Sequence, residues 1–326
     1  MTRSHVLSAA VLLLLCACSS PFRQAETVAA RAQLSRALLW GDRYHHVAYQ
    51  RLGPGGLLLI YIEGDGTPWT DGGRQIAVDP TSRRPLALEL AARTQTGSVL
   101  YLGRPCYLGL ATTPECRPSD WTFDRYSSAV VSSLTAAANQ FVRDHDIRNV
   151  VLIGHSGGGT LAILMAPKVL NLRAVVTIAA NLDVKAWTAF HGYLPLSGSL
   201  DPADQPPISA PIVEVDMMGE RDRDVPPALL GRYLAARPAA QRWTFPAFDH
   251  SCCWADSWPA LLRGVLARAG LAPDSGSAET TIGFAVCPLV DPLLDVGYPR
   301  GAVGAGHGRG RGYQVRHDVE RAGRGA

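Results

Sequence analysis

Apolar residues along this chain gather in short unbroken runs, and between the runs they recur every three or four positions. The runs at residues 57–62, 99–103, 150–153, 174–179, 211–215 and 243–245 have strand length, as in Leu57-Leu58-Leu59-Ile60-Tyr61-Ile62. Solid runs of this kind suit strands covered on both faces. Residues 46–52 alternate in part and add one more strand. Residues 85–93, 125–145, 160–165, 228–236 and 258–269 read as helices; Val130, Leu134, Ala137 or Ala138, and Phe141 share one face of the second. Strands alternating with helices predict an α/β fold, with a mostly parallel central sheet between two helical layers.

The pattern breaks at both ends. Residues 1–18 read as an export signal: Arg3, an apolar stretch over 6–15, then Leu15-Cys16-Ala17-Cys18. The stretch is too short for the ~20 residues that a bilayer span requires. Residues 19–42 are expected to be a polar linker with a short helix at 26–39, and residues 43–271 the folded domain. Residues 272–326, rich in Gly and Arg without sustained periodicity, are expected to be a disordered tail. From residue 300 onward six Arg stand against Asp318 and Glu320, so that stretch carries +4. The whole chain carries +3, which leaves the rest at −1. A near-neutral body offers no basic face, and no nucleic-acid partner is expected.

Leu15-Cys16-Ala17-Cys18 resembles a bacterial lipobox, which implies cleavage before Cys18 and acylation of that residue. Cys16 fits less well, because Leu15 is too large to precede the cut; an ordinary secretory signal is the alternative. Ser19 resembles the residue that follows the acylated Cys in outer-membrane lipoproteins. The expected location is the bacterial cell envelope, with a lipid anchor in the outer membrane facing the periplasm. Several acyl chains anchor stably, since each buried CH₂ contributes ~0.8 kcal/mol.

The centre of the chain is Val150-Val151-Leu152-Ile153-Gly154-His155-Ser156-Gly157-Gly158, an apolar strand running into G-x-S-x-G and then an apolar helix. That context gives the motif its meaning. So sharp a strand-to-helix turn strains the Ser backbone, and Gly is needed at −2 and +2 where a Cβ would collide. Ser156 is the candidate nucleophile.

Ser156, an acid, and His250, in that order, resemble the α/β-hydrolase superfamily over roughly residues 45–270. The Glu63-Gly64-Asp65-Gly66 loop is similar to that of bacterial α/β-hydrolase lipoproteins. The resemblance implies an α/β-hydrolase fold and a serine hydrolase cleaving an ester or related acyl bond, with His250 as base and Asp222 as acid. Asp224 remains open as the acid. His155, inside the elbow, is expected to pack under the loop. Gly157 is the first expected oxyanion donor. The second comes from the loop after residues 57–62, where many family members have His-Gly: it is Asp65 if Glu63-Gly64 stands there, and Thr67 if Asp65-Gly66 does, with Asp65 and Gly66 preferred.

Cysteine usage fits an oxidising compartment. Cys106 and Cys116 form the candidate disulfide, closing a loop near the mouth of the site. Cys252 and Cys253 are not expected to pair with each other, since adjacent cysteines are strained partners. No spacing resembles a metal site, and no cofactor is implied. Trp69, Trp121 and Trp187 are candidate walls for a small-molecule or lipid-like acyl substrate. The competing reading is a non-catalytic envelope lipoprotein of the same fold, acting as a binding or structural module.

Overall fold

The computed structural model describes residues 20–272; the expected signal, Cys18 and the tail from 273 lie outside the described residues. In chain order the elements are α1 (Pro21–Arg31), β1 (Ser35–Trp40), β2 (His45–Arg51), β3 (Leu57–Ile62), β4 (Trp69–Thr70), β5 (Gln75–Ile76), α2 (Leu86–Arg93) and β6 (Ser98–Leu102). There follow α3 (Ser128–Asp144), β7 (Asn149–His155), α4 (Gly157–Met165), β8 (Leu172–Ile178) and α5 (Val184–His191). The chain then adds β9 (Val213–Gly219), α6 (Gly231–Ala235), β10 (Gln241–Phe245) and α7 (Trp254–Arg268).

The main sheet has eight strands in the order β1-β2-β6-β3-β7-β8-β9-β10. From β6 to β10 every pairing is parallel, and β2 alone runs against the rest. After β3 the chain steps to β6 on one side, then crosses back over β3 to reach β7. With right-handed crossovers this reversal puts α2 and α3 on opposite faces. Contacts agree: α2 packs with α1 and α7, whereas α3 packs with α4. The reversal also opens a crevice at the carboxyl ends of β3 and β7, where open α/β sheets hold their ligands.

The strands are buried as their solid apolar runs require. Leu58 to Ile62, Val99 to Leu102 and Val150 to Ile153 are almost inaccessible. The indole N–H of Trp258 on α7 donates to the Tyr61 hydroxyl at 3.1 Å, which ties the last helix to β3.

Residues 20–42 are not a linker. Pro21–Arg31 is a helix whose first turn is capped by the Ser20 hydroxyl, and Ala25, Ala29 and Leu34 are buried. Gln33 adopts a positive φ of 56° and ends that segment. Residues 35–39, expected to close that helix, belong instead to β1, which pairs with β2. Leu38-Leu39 suits a helix or a strand, and pairing with β2 decides it. Helix α5 is capped by the Asp183 carboxylate on the Ala186 N–H. Arg232 then ties down the segment that follows, bonding Asp183, Asp201 and Asp204.

Candidate active site

Strand β7 delivers Ser156 into a turn tight enough to hold it at φ 52°, ψ −125°. The glycines make that turn sterically possible. A Cβ on Gly154 would lie 2.2 Å from the Gly158 carbonyl oxygen, and one on Gly158 would lie 2.1 Å from that of Ile62. Ser156 therefore stands at the start of α4, in the crevice, beside backbone N–H groups with no helical partner of their own.

The loop between β10 and α7 brings in His250. Its Nε2 is 3.1 Å from Ser156 Oγ, and its Nδ1 is 2.9 Å from Asp222 Oδ2. A carboxylate only accepts, so Nδ1 carries the proton and Nε2 is the free base facing the hydroxyl. The loop after β9 supplies Asp222, whose Oδ1 accepts the N–H groups of Asp224 and Val225, each at 2.8 Å. Asp224 is exposed and makes its hydrogen bonds through the backbone: its N–H to Asp222, its carbonyl to Trp187 Nε1 and His191 Nε2. Between the two acids, Asp222 is the one whose carboxylate meets His250.

Each partner alters the other's proton affinity. Burial alone would raise the Asp222 carboxyl; the hydrogen bond and charge of His250, with the two N–H groups, outweigh it and hold the acid below its usual value. Burial alone would depress His250, but Asp222, then Asp224 and Asp249, raise it above the ordinary imidazole range.

His155 lies under the loop as expected. Its Nε2 donates to the His250 carbonyl at 2.9 Å, and its Nδ1 is 3.7 Å from Glu63 Oε1. Glu63 is a capping residue that sequence reasoning missed. Its carboxylate accepts the N–H groups of Gly64, Ala87 and Leu88, the last two from the first turn of α2.

The 63–67 loop passes over Ser156. A Cβ on Gly64 would come 3.2 Å from Ser156 Cβ. The Thr67 N–H is committed to the Pro80 carbonyl at 2.9 Å, whereas the Asp65 N–H has no hydrogen-bond acceptor among the described residues. Of the two alignments, only that with Asp65 leaves a donor free. Gly66, with φ 65°, serves the turn, since a Cβ there would lie 2.1 Å from the Pro80 oxygen.

The Asp65 side chain meets Arg104, Arg125 and Tyr126, partners that sequence reasoning also missed. Arg104 Nη1 is 2.5 Å from Oδ1, while Arg125 Nη1 and the Tyr126 hydroxyl are 2.9 and 2.7 Å from Oδ2. Burial opposes the charge, but Arg125 and Arg104, with Tyr126, hold this carboxyl far below its usual range.

Cys106 and Cys116 are bonded, with Cα atoms 5.6 Å apart, and the loop they close reaches the site: the Tyr107 hydroxyl donates to the Asp65 carbonyl at 2.9 Å. Cys252 and Cys253, not expected to pair, are bonded to each other across a cis peptide that brings their Cα atoms to 3.2 Å. Trp121 is not a pocket wall; it is buried and donates to the Ala77 carbonyl. Trp69 packs edge-on against Phe123, and Trp187 stays beside the Asp222 loop. Asp222, Asp224 and His250 place ligand-type atoms within 4.8 Å of one another, but His250 Nδ1 and both Asp222 oxygens are already engaged in the hydrogen bonds above.

No protein-family model matches the chain, and no curated protein matches it in sequence. Among solved structures it is similar to an esterase from Pyrococcus furiosus, with TM-score 0.51 and 13% identity over 74% of this chain and 92% of that one. A puromycin hydrolase gives TM-score 0.50 and 14% identity over 73% of this chain and 39% of the other. An α/β serine hydrolase without a lid, from Xanthomonas campestris, gives TM-score 0.48 and 15% identity over 71% and 93%. At such identities a likeness speaks for architecture and leaves chemistry to the site. Sheet order, the one strand that runs against the rest and the likeness to the Pyrococcus furiosus esterase agree: the chain has the α/β-hydrolase fold.

Proposed function

We propose that this chain is a serine hydrolase that cleaves an ester or related acyl bond of a small-molecule or lipid-like substrate. The observation that carries the reading is the unbroken relay from Ser156 Oγ to His250 Nε2, and from His250 Nδ1 to Asp222. Ser156 Oγ attacks the carbonyl carbon while His250 Nε2 takes its proton. Asp222 holds the ring and stabilises the imidazolium. The carbonyl oxygen, now anionic, accepts from the N–H groups of Gly157 and Asp65. Collapse breaks the bond to the leaving group, which takes the proton from His250. Water then repeats the sequence on the acyl-enzyme, and Ser156 is regenerated.

The test is covalent labelling of the full chain with a fluorophosphonate, alongside turnover of acyl esters of graded chain length. Labelling that disappears in Ser156→Ala is the expected result. A folded wild type that neither labels nor turns over any ester favours the binding-module reading instead.

The same reading places the protein in the bacterial envelope, exported and held by acyl chains on Cys18. The lipobox-like sequence and the Cys106–Cys116 disulfide support it, since such bonds persist in oxidising compartments. Cys18→Ala is expected to release the protein from the membrane fraction. An unacylated, freely soluble wild type overturns the anchor.

A further inference from the structure

A carboxylate is a poor neighbour for a developing oxyanion, yet Asp65 stands against the elbow. A Cβ built on Gly157 would fall 2.1 Å from Asp65 Oδ1 and 2.5 Å from the Tyr126 hydroxyl. Two arginines face this single acid, and both guanidinium-bearing side chains are nearly inaccessible, at 1% and 5% exposure. The Asp65 carboxylate offsets one of the two charges. The cluster as a whole is positive, in a place where water screens little.

Its geometry is fixed from several sides. Arg104 Nη2 donates to the Arg125 carbonyl, Arg125 Nε to the Thr122 carbonyl, and Tyr107 to the Asp65 carbonyl. Arg104 also lies over the rings of Tyr107 and Tyr126, with its Cζ 5.1 and 5.6 Å from their centroids. Burying two arginines is costly, and a hydrophobic contact would hold a loop as well. A buried excess of positive charge next to the nucleophile's turn calls for an electrostatic reason.

We propose that Arg104 and Arg125 are positioning residues for the oxyanion site: they draw the Asp65 carboxylate aside and leave net positive charge behind the 63–67 loop, so that the loop stabilises a tetrahedral intermediate instead of repelling it. This rests on Ser156 being the nucleophile. Neither arginine touches the substrate; both act through Asp65. The interaction strengthens as charge develops on the carbonyl oxygen, so its loss falls on kcat and spares KM.

The experiment compares Arg125→Gln, Arg125→Lys and the double variant Asp65→Asn/Arg125→Gln in the full chain, with Tm measured for each. Arg125→Gln is expected to lower kcat about tenfold or more with KM within about twofold, the range in which an oxyanion interaction acts. Arg125→Lys, which keeps the charge, is expected to regain most of the loss. The double variant, which returns the cluster to one excess positive charge, is expected to be faster than Arg125→Gln. An unchanged kcat in Arg125→Gln, or a double variant as slow as Arg125→Gln at equal Tm, overturns the proposal.

Should Arg125→Gln not fold, the double variant is compared with wild type directly. The double variant keeps one excess positive charge, so its kcat is expected to fall by less than about tenfold, and a fall of about a hundredfold overturns the idea. Wild-type labelling by fluorophosphonate separates the two levels. If wild type labels and the arginine variants match it, only this inference fails; if wild type does not label, the hydrolase reading fails first and this one with it.

Discussion

The Nε2 of His155 is 2.9 Å from the carbonyl oxygen of His250, so the neighbour of Ser156 holds the loop that carries His250. The two rings are 5.0 Å apart between centroids. Removing the donor leaves a carbonyl unpaired and frees the loop to shift. His155→Leu is expected to reduce kcat/KM about tenfold, the equivalent of about 1.4 kcal/mol for one hydrogen bond. His155→Gln, whose amide can still donate, is expected to keep most of the activity. Steady-state ester hydrolysis of the two variants decides; equal losses would show that the ring's bulk matters and its hydrogen bond does not.

The Asp222–His250 pair predicts the pH profile. In the proposed mechanism His250 must be neutral to take the Ser156 proton, and its proton affinity is raised in the fold. Activity is therefore expected to rise with pH through a value above the ordinary imidazole pKa of about 6.5. Asp222→Asn removes the charge, which should lower that apparent pKa and cut kcat by about 10⁴. Stability moves the opposite way. Protonated His250 is favoured in the fold, so its contribution is present below about 6.5 and is lost as pH rises through the folded value. A kcat/KM profile unchanged by Asp222→Asn would remove the acid from the mechanism.

What was legible in the sequence was local. Gly154 and Gly158 flank Ser156 because a Cβ on the first would meet the Gly158 backbone and one on the second the end of β3, and a strand-Gly-x-Ser-x-Gly-helix pattern announces such a turn. Chain order picked out His250, which follows the last strand. The choice between Asp65 and Thr67 as donor was not legible, because it turns on the Thr67 N–H finding the Pro80 carbonyl. Arg104 and Arg125 lie 39 and 60 positions from Asp65, with nothing in their surroundings to mark them as its partners. The strand at residues 35–40 is not legible either, because Leu38 and Leu39 satisfy both periodicities and only pairing with β2 makes them a strand.

Asp216 predicts a second pH effect, on stability alone. It lies on β9 with Oδ1 accepting from Thr177 Oγ1 at 2.7 Å, and Oδ2 has no partner among the described residues. Burial, and then repulsion from Glu214, push it from 3.8 up to about 7. The native state therefore keeps a proton that the unfolded chain releases, and stability falls as pH rises between those values. Asp216→Asn is expected to raise Tm by several degrees at pH 8 and by little at pH 5. Thermal unfolding at both pH values tests this, and an equal change at the two sinks it.

The Cys106–Cys116 bond closes a loop ten residues long by sequence separation. The chain-entropy account makes such a closure worth about 3 kcal/mol, borne mainly by the unfolded state. The double variant Cys106→Ser/Cys116→Ser is therefore expected to lose roughly 6–12 °C in Tm, at the 2–4 °C per kcal/mol usual for a domain of this size. Because Tyr107 holds the Asp65 carbonyl from inside this loop, kcat should fall in the same variant. Loss of Tm with unchanged kcat would confine the bond's role to stability.

Two glycine substitutions should behave in opposite ways. On Gly158 a Cβ would lie 2.1 Å from the Ile62 carbonyl oxygen and 2.6 Å from that of Glu63, both backbone atoms of the strand and loop that form the site. Neither can withdraw without moving β3, so Gly158→Ala is expected to cost about 3 kcal/mol or more, as overpacking in a rigid core does. Gly231 begins α6 with φ −55° and ψ −45°, and a Cβ there meets nothing within 4 Å. Gly231→Ala is expected to stabilise by about 0.4–1 kcal/mol, because it narrows the unfolded ensemble without straining the helix. Urea denaturation of the two variants checks both signs at once. A stable Gly158→Ala protein that still labels with fluorophosphonate would show that the elbow can relax, and the steric account of its glycines would have to be given up.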